Sequence, residues 1–232
     1  MIYDTAKIFP TTIYIGELEN HKDYKKNFYD VYHKFDYEMT SENNTVSEEC
    51  GNPLIHFEEN LEPLFVEITE HVKNYIHNIL CLRDLFDIVI TKTWLSRARS
   101  VEDEIPWHIH STSHISFTYY LNVPKNAHAI TFSNQHEPNN LFLGMSNYNN
   151  SEEKRFIKNY NEHNSETFFI VPNEGCLVLF PSKTPHSTQS KSEEFCGERL
   201  AIVGDITLIL KDEHLSFPMG YLNQKYWKKF NE

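Results

Sequence analysis

Glycine is scarce in this chain, 7 of 232 residues, and no internal repeat or low-complexity tract stands beyond short asparagine-rich loops. Cysteine is also sparse. Cys50, Cys81, Cys176 and Cys196 lie far apart with no C-x-x-C spacing, so a disulfide scaffold is not expected and the four are read as free thiols in a reducing compartment. No apolar run approaches the roughly 20 residues that a membrane-spanning helix requires. The opening MIYDTAKIFPTTIYIGEL has no basic segment followed by a long apolar one, so no secretory leader is expected and a cytoplasmic location is. Basic residues form no run, and the formal net charge is −12. A phosphate backbone selects a basic footprint, so neither nucleic acid nor a membrane is expected as a partner.

What is present suits a globular protein. Hydrophobic residues make up 40% of the chain, too many for a disordered polymer. The length suits one domain over residues 1–232, with a strand and supporting helices over 1–86, a β core over 87–210 and a tail over 211–232 packed on that core. The run IFPTTIYI is β-rich, and the segment 20–35 spaces Tyr24, Phe28, Val31 and Tyr32 near helical intervals. Leu61, Leu64, Phe65, Ile68, Val72, Tyr75, Ile76 and Ile79 recur at three- and four-residue steps, which predicts an amphipathic helix with Asn60 as its N-cap. Beyond it the period falls to two. DIVITKTWLSRARS, HISFTYYLNV, AHAITFSN, ETFFIVP, EGCLVLFPS and ERLAIVGDITLIL all read as strands. The segment Gln135–Asn164 is a long connection that could hold a short helix near Glu152–Tyr160 and cover a pocket.

Chemistry concentrates in WHIHSTSHISFTYYL. Residues i and i+2 of an extended segment share a face, so His108 and His110 can aim together at one ion. Neutral imidazole ligates iron, zinc, copper and nickel alike. Alone the pair is weak evidence, because the chain holds 13 histidines. His186, in LVLFPSKTPHSTQ, strengthens it by standing in a proline-flanked loop at the end of an apolar strand, where sites tend to form. Arg199 opens the next strand and is either a solvated strand end or a bidentate clamp for a carboxylate.

In this order the motifs resemble the iron(II)/2-oxoglutarate-dependent oxygenases, and within them a branch found in bacteria and phages. The likeness runs over about residues 7–210. It is carried by KIFPTTIYIGEL, KTWLSR, His108-x-His110 followed by S-x-x-Y-Y-L, EGCLVLFP, His186 and Arg199. The resemblance implies a mainly β fold, a double-stranded β-helix (jelly-roll, cupin-like) barrel backed by N-terminal helices. It implies Fe(II) on His108, His110 and His186, with 2-oxoglutarate and O2 as co-substrates. Arg199 would take the distal carboxylate of 2-oxoglutarate, helped by Tyr120, with Ser116 and Thr118 on the same face of the strand. The implied reaction hydroxylates a small-molecule or peptide substrate while 2-oxoglutarate is decarboxylated to succinate.

One departure stands out. The superfamily pattern is H-x-D or H-x-E, and His110 occupies the carboxylate position. Asp103 and Glu104 are the upstream acids that could replace it if their loop folds back. His114, Tyr119, Trp107 and Arg97 are further candidates beside the metal or substrate, each with packing as the competing reading. Two other functions remain open: a three-histidine, cupin-like dioxygenase or isomerase that uses no 2-oxoglutarate, and a non-catalytic β-barrel binding module. Open-barrel strand edges also allow a homodimer.

Overall fold

The structure, a computed structural model, describes residues 10–35, 54–134, 156–190, 195–216 and 220–229, together with positions 139, 141, 142 and 145. Two antiparallel sheets face each other. Strands β1 (Tyr14–Glu17), β2 (Phe86–Ala98), β4 (Ile115–Asn122), β7 (Cys176–Pro181) and β9 (Arg199–Leu210) form a five-stranded sheet in the order β1-β7-β4-β9-β2. Strands β3 (Ile105–His108), β5 (Ala129–Ser133), β6 (Thr167–Ile170) and β8 (His186–Gln189) form a four-stranded sheet in the order β3-β8-β5-β6. This is the expected jelly-roll arrangement. Helices α1 (His21–Val31) and α2 (Glu62–Lys73) lie against the outer face of the larger sheet, and α2 continues as a π-helical turn over Asn74–Ile79.

Period-two alternation divides the larger sheet into two faces with different neighbours. Outward, Ile115, Phe117, Tyr119, Leu121, Leu177, Leu179, Leu200 and Ile202 pack with Phe28, Leu64, Ile68 and Val72 of the helices. Inward, Tyr120, Val178, Phe180 and Ala201 meet Ile130, Phe132 and Ile170 of the smaller sheet. Full burial of such side chains stabilises the fold by about 1.5–3 kcal/mol each. Gly204 is needed where Phe117 crosses β9: a Cβ there would lie 2.4 Å from the Phe117 ring and 2.8 Å from Thr93 Cγ2, so glycine is what admits the ring.

Local details differ from expectation. Leu61, not Asn60, sits at the N-cap of α2, and no side chain caps it. A 3-10 turn over Glu59–Leu61 displaces the start, and Pro63 lies in the first turn, where its missing N–H costs nothing. His186 does not end the EGCLVLFP strand. The chain turns after Pro181 and His186 begins β8 in the opposite sheet. Residues 156–160, the described end of the expected Glu152–Tyr160 helix, are bends and irregular backbone; the rest of that stretch lies outside the described residues. The tail forms short 3-10 turns and touches β9 where Leu210 N–H donates to Tyr221 O. Cys81, Cys176 and Cys196 are free thiols, and Cys50 lies outside the described residues. Among the described residues no helix is long and apolar enough to cross a membrane.

Candidate metal centre

The antiparallel pairing of β3 with β8 puts His108 directly opposite His186. The chain then leaves β3, and the N–H of His110 donates to Ser182 O at 2.9 Å while Ser182 N–H donates to His114 O at 3.0 Å. This pair of backbone bonds holds the 110–114 segment against the β7–β8 turn and brings His110 beside the other two. The three rings lie 4.2–5.3 Å apart, centre to centre. One donor atom from each falls within 4.8 Å of the others. Among the described residues this is the sole such group of three or more histidines, cysteines or acids.

Each ring is anchored through Nδ1. That of His108 meets Pro106 O at 2.8 Å, that of His186 meets Thr184 O at 2.9 Å, and that of His110 meets Asp205 Oδ1 at 2.5 Å. A carbonyl or carboxylate oxygen only accepts, so these contacts place the proton on Nδ1 and assign Nε2 of each ring to a metal. Burial, aided by the neighbouring charge at His108, pushes the His186 pKa down to about 3. It is therefore neutral near pH 7, as a ligand must be.

Asp205 was missed in the sequence, although alternation from Arg199 places it on the inward face of an otherwise apolar strand. It is 2% exposed. Burial alone would raise its pKa. The hydrogen bonds from His110 and Ser116 and the nearby charge of Lys92 outweigh that and hold it below the ordinary aspartate value. The upstream acids play no such part. Asp103 accepts from the N–H groups of Arg99 and Ser100, and Glu104 accepts from Ser190 N–H.

Behind the histidines lies a cavity of about 490 Å³, whose wall includes Trp94, Ser96, Thr118, Ile130, Val203 and Arg199. Arg199 is 1% exposed. Its Nη1 makes one long contact, 3.5 Å to Ser96 Oγ, and Nε has no partner. Among the described residues no carboxylate pairs with it. Its guanidinium lies 5.1 Å from the centre of the Tyr120 ring, a cation–π contact. A buried, uncompensated cation is costly, and an anion in this corner of the cavity would offset that cost. The phenol of Tyr120 is buried without a hydrogen-bond partner in the described structure. Burial raises its pKa, against the lowering influence of Arg199.

The other candidates sit elsewhere. Ser116 does not line the cavity; it stands behind His110, 2.8 Å from Asp205 Oδ1 and 3.0 Å from His110 Nδ1. Tyr119 faces the helices and bonds His21 at 2.7 Å. Arg97 also points to the helix side, donating to Tyr32 Oη at 3.1 Å. His114 accepts from Leu208 N–H and packs on Tyr221. Trp107 is 44% exposed and outside the cavity wall. Of these candidates, Tyr119, Arg97 and His114 make contacts away from the three histidines, and Trp107 lies outside the cavity wall.

The family model described as "Putative 2OG-Fe(II) oxygenase" matches residues 92–205. That span holds all three histidines, Arg199 and Asp205. Over that span, just under half of the chain, the sequence resembles the 2OG-Fe(II) oxygenase family. Solved structures agree at the level of fold. An alpha-ketoglutarate-dependent carbocyclase from nogalamycin biosynthesis, SnoK, superposes with TM-score 0.53 at 10% identity over 91% of this chain and 88% of its own. The epimerase SnoN of the same biosynthesis gives 0.52 at 11% identity over 85% and 78%. The chain spans 63% of a 2OG-Fe(II) oxygenase family oxidoreductase from Burkholderia pseudomallei, which covers 68% of this chain at 10% identity and TM-score 0.45. No curated protein matches. That family uses Fe(II), 2-oxoglutarate and O2, and this chain has two features that fit them: three converging imidazoles and a buried guanidinium whose Nε has no partner among the described residues.

Proposed function

We propose that this protein is a non-haem Fe(II), 2-oxoglutarate-dependent oxygenase that hydroxylates a small-molecule or peptide substrate. The observation that carries the reading is Arg199: a buried cation with no carboxylate paired to it among the described residues, in the wall of the cavity that the three histidines border. His108, His110 and His186 would hold the iron through Nε2. When bound, iron and 2-oxoglutarate supply the oxidising chemistry, with CO2 and succinate as the co-products. The chain's own residues bind, orient and desolvate. Arg199 receives the distal carboxylate, with the hydroxyls of Ser96 and Thr118 in the same wall and Tyr120 packed beneath the guanidinium. Ile130 and Val203 keep that corner apolar, which strengthens the ion pair formed there. The Nδ1 anchors stop the imidazoles from rotating, so the ligand geometry exists before the metal arrives.

Anaerobic titration of the Fe(II)-loaded protein with 2-oxoglutarate, followed by succinate measurement under air, tests the proposal. Binding and succinate formation that both require Arg199 are expected. Fe(II)-loaded protein that neither binds 2-oxoglutarate nor releases succinate would sink it. His110 at a carboxylate position keeps one competitor alive, a three-histidine dioxygenase or isomerase that uses no 2-oxoglutarate. Metal-dependent turnover that survives Arg199→Met favours that competitor.

A further inference from the structure

We infer that Asp205 provides, through His110, the negative charge that this metal centre lacks among its own ligands; the inference rests on the three-histidine reading above. Three neutral imidazoles leave a divalent ion's charge uncompensated within a largely buried site. Their anchors are not equivalent. His108 and His186 lean on backbone carbonyls, whereas His110 leans on a carboxylate at 2.5 Å. Drawing the Nδ1 proton toward an anion makes Nε2 a stronger donor and gives the ring part of the anion's charge. His110 thus acts as an anionic ligand with the carboxylate one residue further from the metal.

The fold is arranged to hold that carboxylate. Ser116 and Asp205 are cross-strand partners on β4 and β9, and Lys92 is the partner of Asp205 on β2. A bulge between Ile90 and Lys92 sets the second pairing. Ser116, Asp205 and Lys92 therefore stand in a row across three strands. Ser116 Oγ–H donates to Oδ1 at 2.8 Å, and Lys92 Nζ lies 3.8 Å from Oδ2. The hydroxyls of Ser116, Ser182 and Ser113 continue the chain at 2.9 and 2.8 Å. Asp205 is 2% exposed, its Oδ1 bonded to His110 and Ser116 and its Oδ2 facing Lys92, and it stands outside the group of three converging donors. It acts by positioning and polarising His110.

Cobalt(II) is the probe, because its visible d–d bands report ligand strength without turnover. The full-length chain and its Asp205→Asn variant are titrated with Co(II) against a competing chelator, and the metal-free melting temperatures confirm that both fold. Asparagine keeps the size and the acceptor and removes the charge. Co(II) affinity is expected to fall about 10- to 100-fold, with shifted bands. Equal affinity and an unchanged spectrum overturn the inference while leaving the three-histidine site standing. A wild-type protein that binds no Co(II) overturns both. Should Asp205→Asn fail to fold, Ser116→Ala supplies the second measurement, since it strips a hydrogen bond from Asp205 Oδ1 while keeping both the charge and His110. Co(II) affinity is then expected to fall about 3- to 10-fold with shifted bands. Unchanged affinity and spectrum in Ser116→Ala count against the inference.

Discussion

The two faces of β4 and β9 share a backbone and do opposite work. On the helix side, Phe117, Tyr119, Leu200 and Ile202 meet apolar or hydrogen-bonded partners and leave little unsatisfied. On the inner side, Ser116, Thr118, Tyr120, Arg199 and Asp205 bring hydroxyls, a buried cation and a buried anion into a region of low polarity. The first face lowers the free energy of the fold. The second gives some of that up, because Arg199 Nε and Tyr120 Oη are buried without hydrogen-bond partners among the described residues. A ligand that supplies those partners recovers the loss, so one face is expected to govern stability and the other affinity.

The strongest break of the stability face is Phe117→Ala. It should destabilise the protein by about 3–5 kcal/mol, the usual cost of truncating a fully buried phenylalanine, read as a shift in the urea midpoint. Arg199→Met should do the reverse of what its burial suggests. Metal-free stability stays level or rises, since an uncompensated buried charge is gone. Affinity for 2-oxoglutarate falls about 10- to 150-fold, the worth of about 1.5–3 kcal/mol of charge-assisted bonding. Calorimetry on metal-loaded protein checks the second half; a stability loss comparable to that of Phe117→Ala would erase the distinction between the faces.

The two adjacent tyrosines sharpen it further. Tyr119→Phe removes a hydroxyl bonded to His21 and should cost about 1 kcal/mol of stability with no change in 2-oxoglutarate affinity. Tyr120→Phe removes a hydroxyl with no hydrogen-bond partner among the described residues and should stay within about 0.5 kcal/mol in stability. Equal stability losses in urea titrations would refute the contrast.

The gentlest perturbation is pH. Burial holds His21, His56 and His128 below the ordinary histidine value, opposed at His21 by Glu174. The unfolded chain therefore binds protons first, near pH 6.5. Their contribution to stability is complete above that pH and declines as the pH falls from there toward the lowered folded-state values. Unfolding midpoints from pH 7.5 down to 5.5 should drop accordingly, and less so in His128→Asn.

The strands with long alternation, such as ISFTYYLN and RLAIVGDITLIL, were legible because one face of each must be apolar to bury against helices. That same alternation put Ser116, Thr118 and Tyr120 together and set Tyr119 apart before any coordinates. Strands β3 and β8 were not legible. Four residues each, carrying histidines, hydroxyls and a proline, they show no hydrophobic period and are defined by pairing, β3 with β8 and β8 with β5. Asp205 was overlooked because a single acid in an apolar strand reads as an edge or a turn unless its partner is known. For His114 the sequence left packing and a place beside the metal both open, and the Ser111–Ser113 turn decides for packing by rotating it toward Leu208.

By itself the sequence determined the order of helices and long strands, the inward and outward residues of each, and the short list of side chains able to bind a metal. These follow from local periodicity and residue chemistry. The convergence of His108, His110 and His186, the isolation of Arg199 and the seat of Asp205 behind His110 were decided by tertiary structure. Each depends on strand register and on a hairpin turn between sheets, and a slip of one residue would send every one of those side chains to the other face.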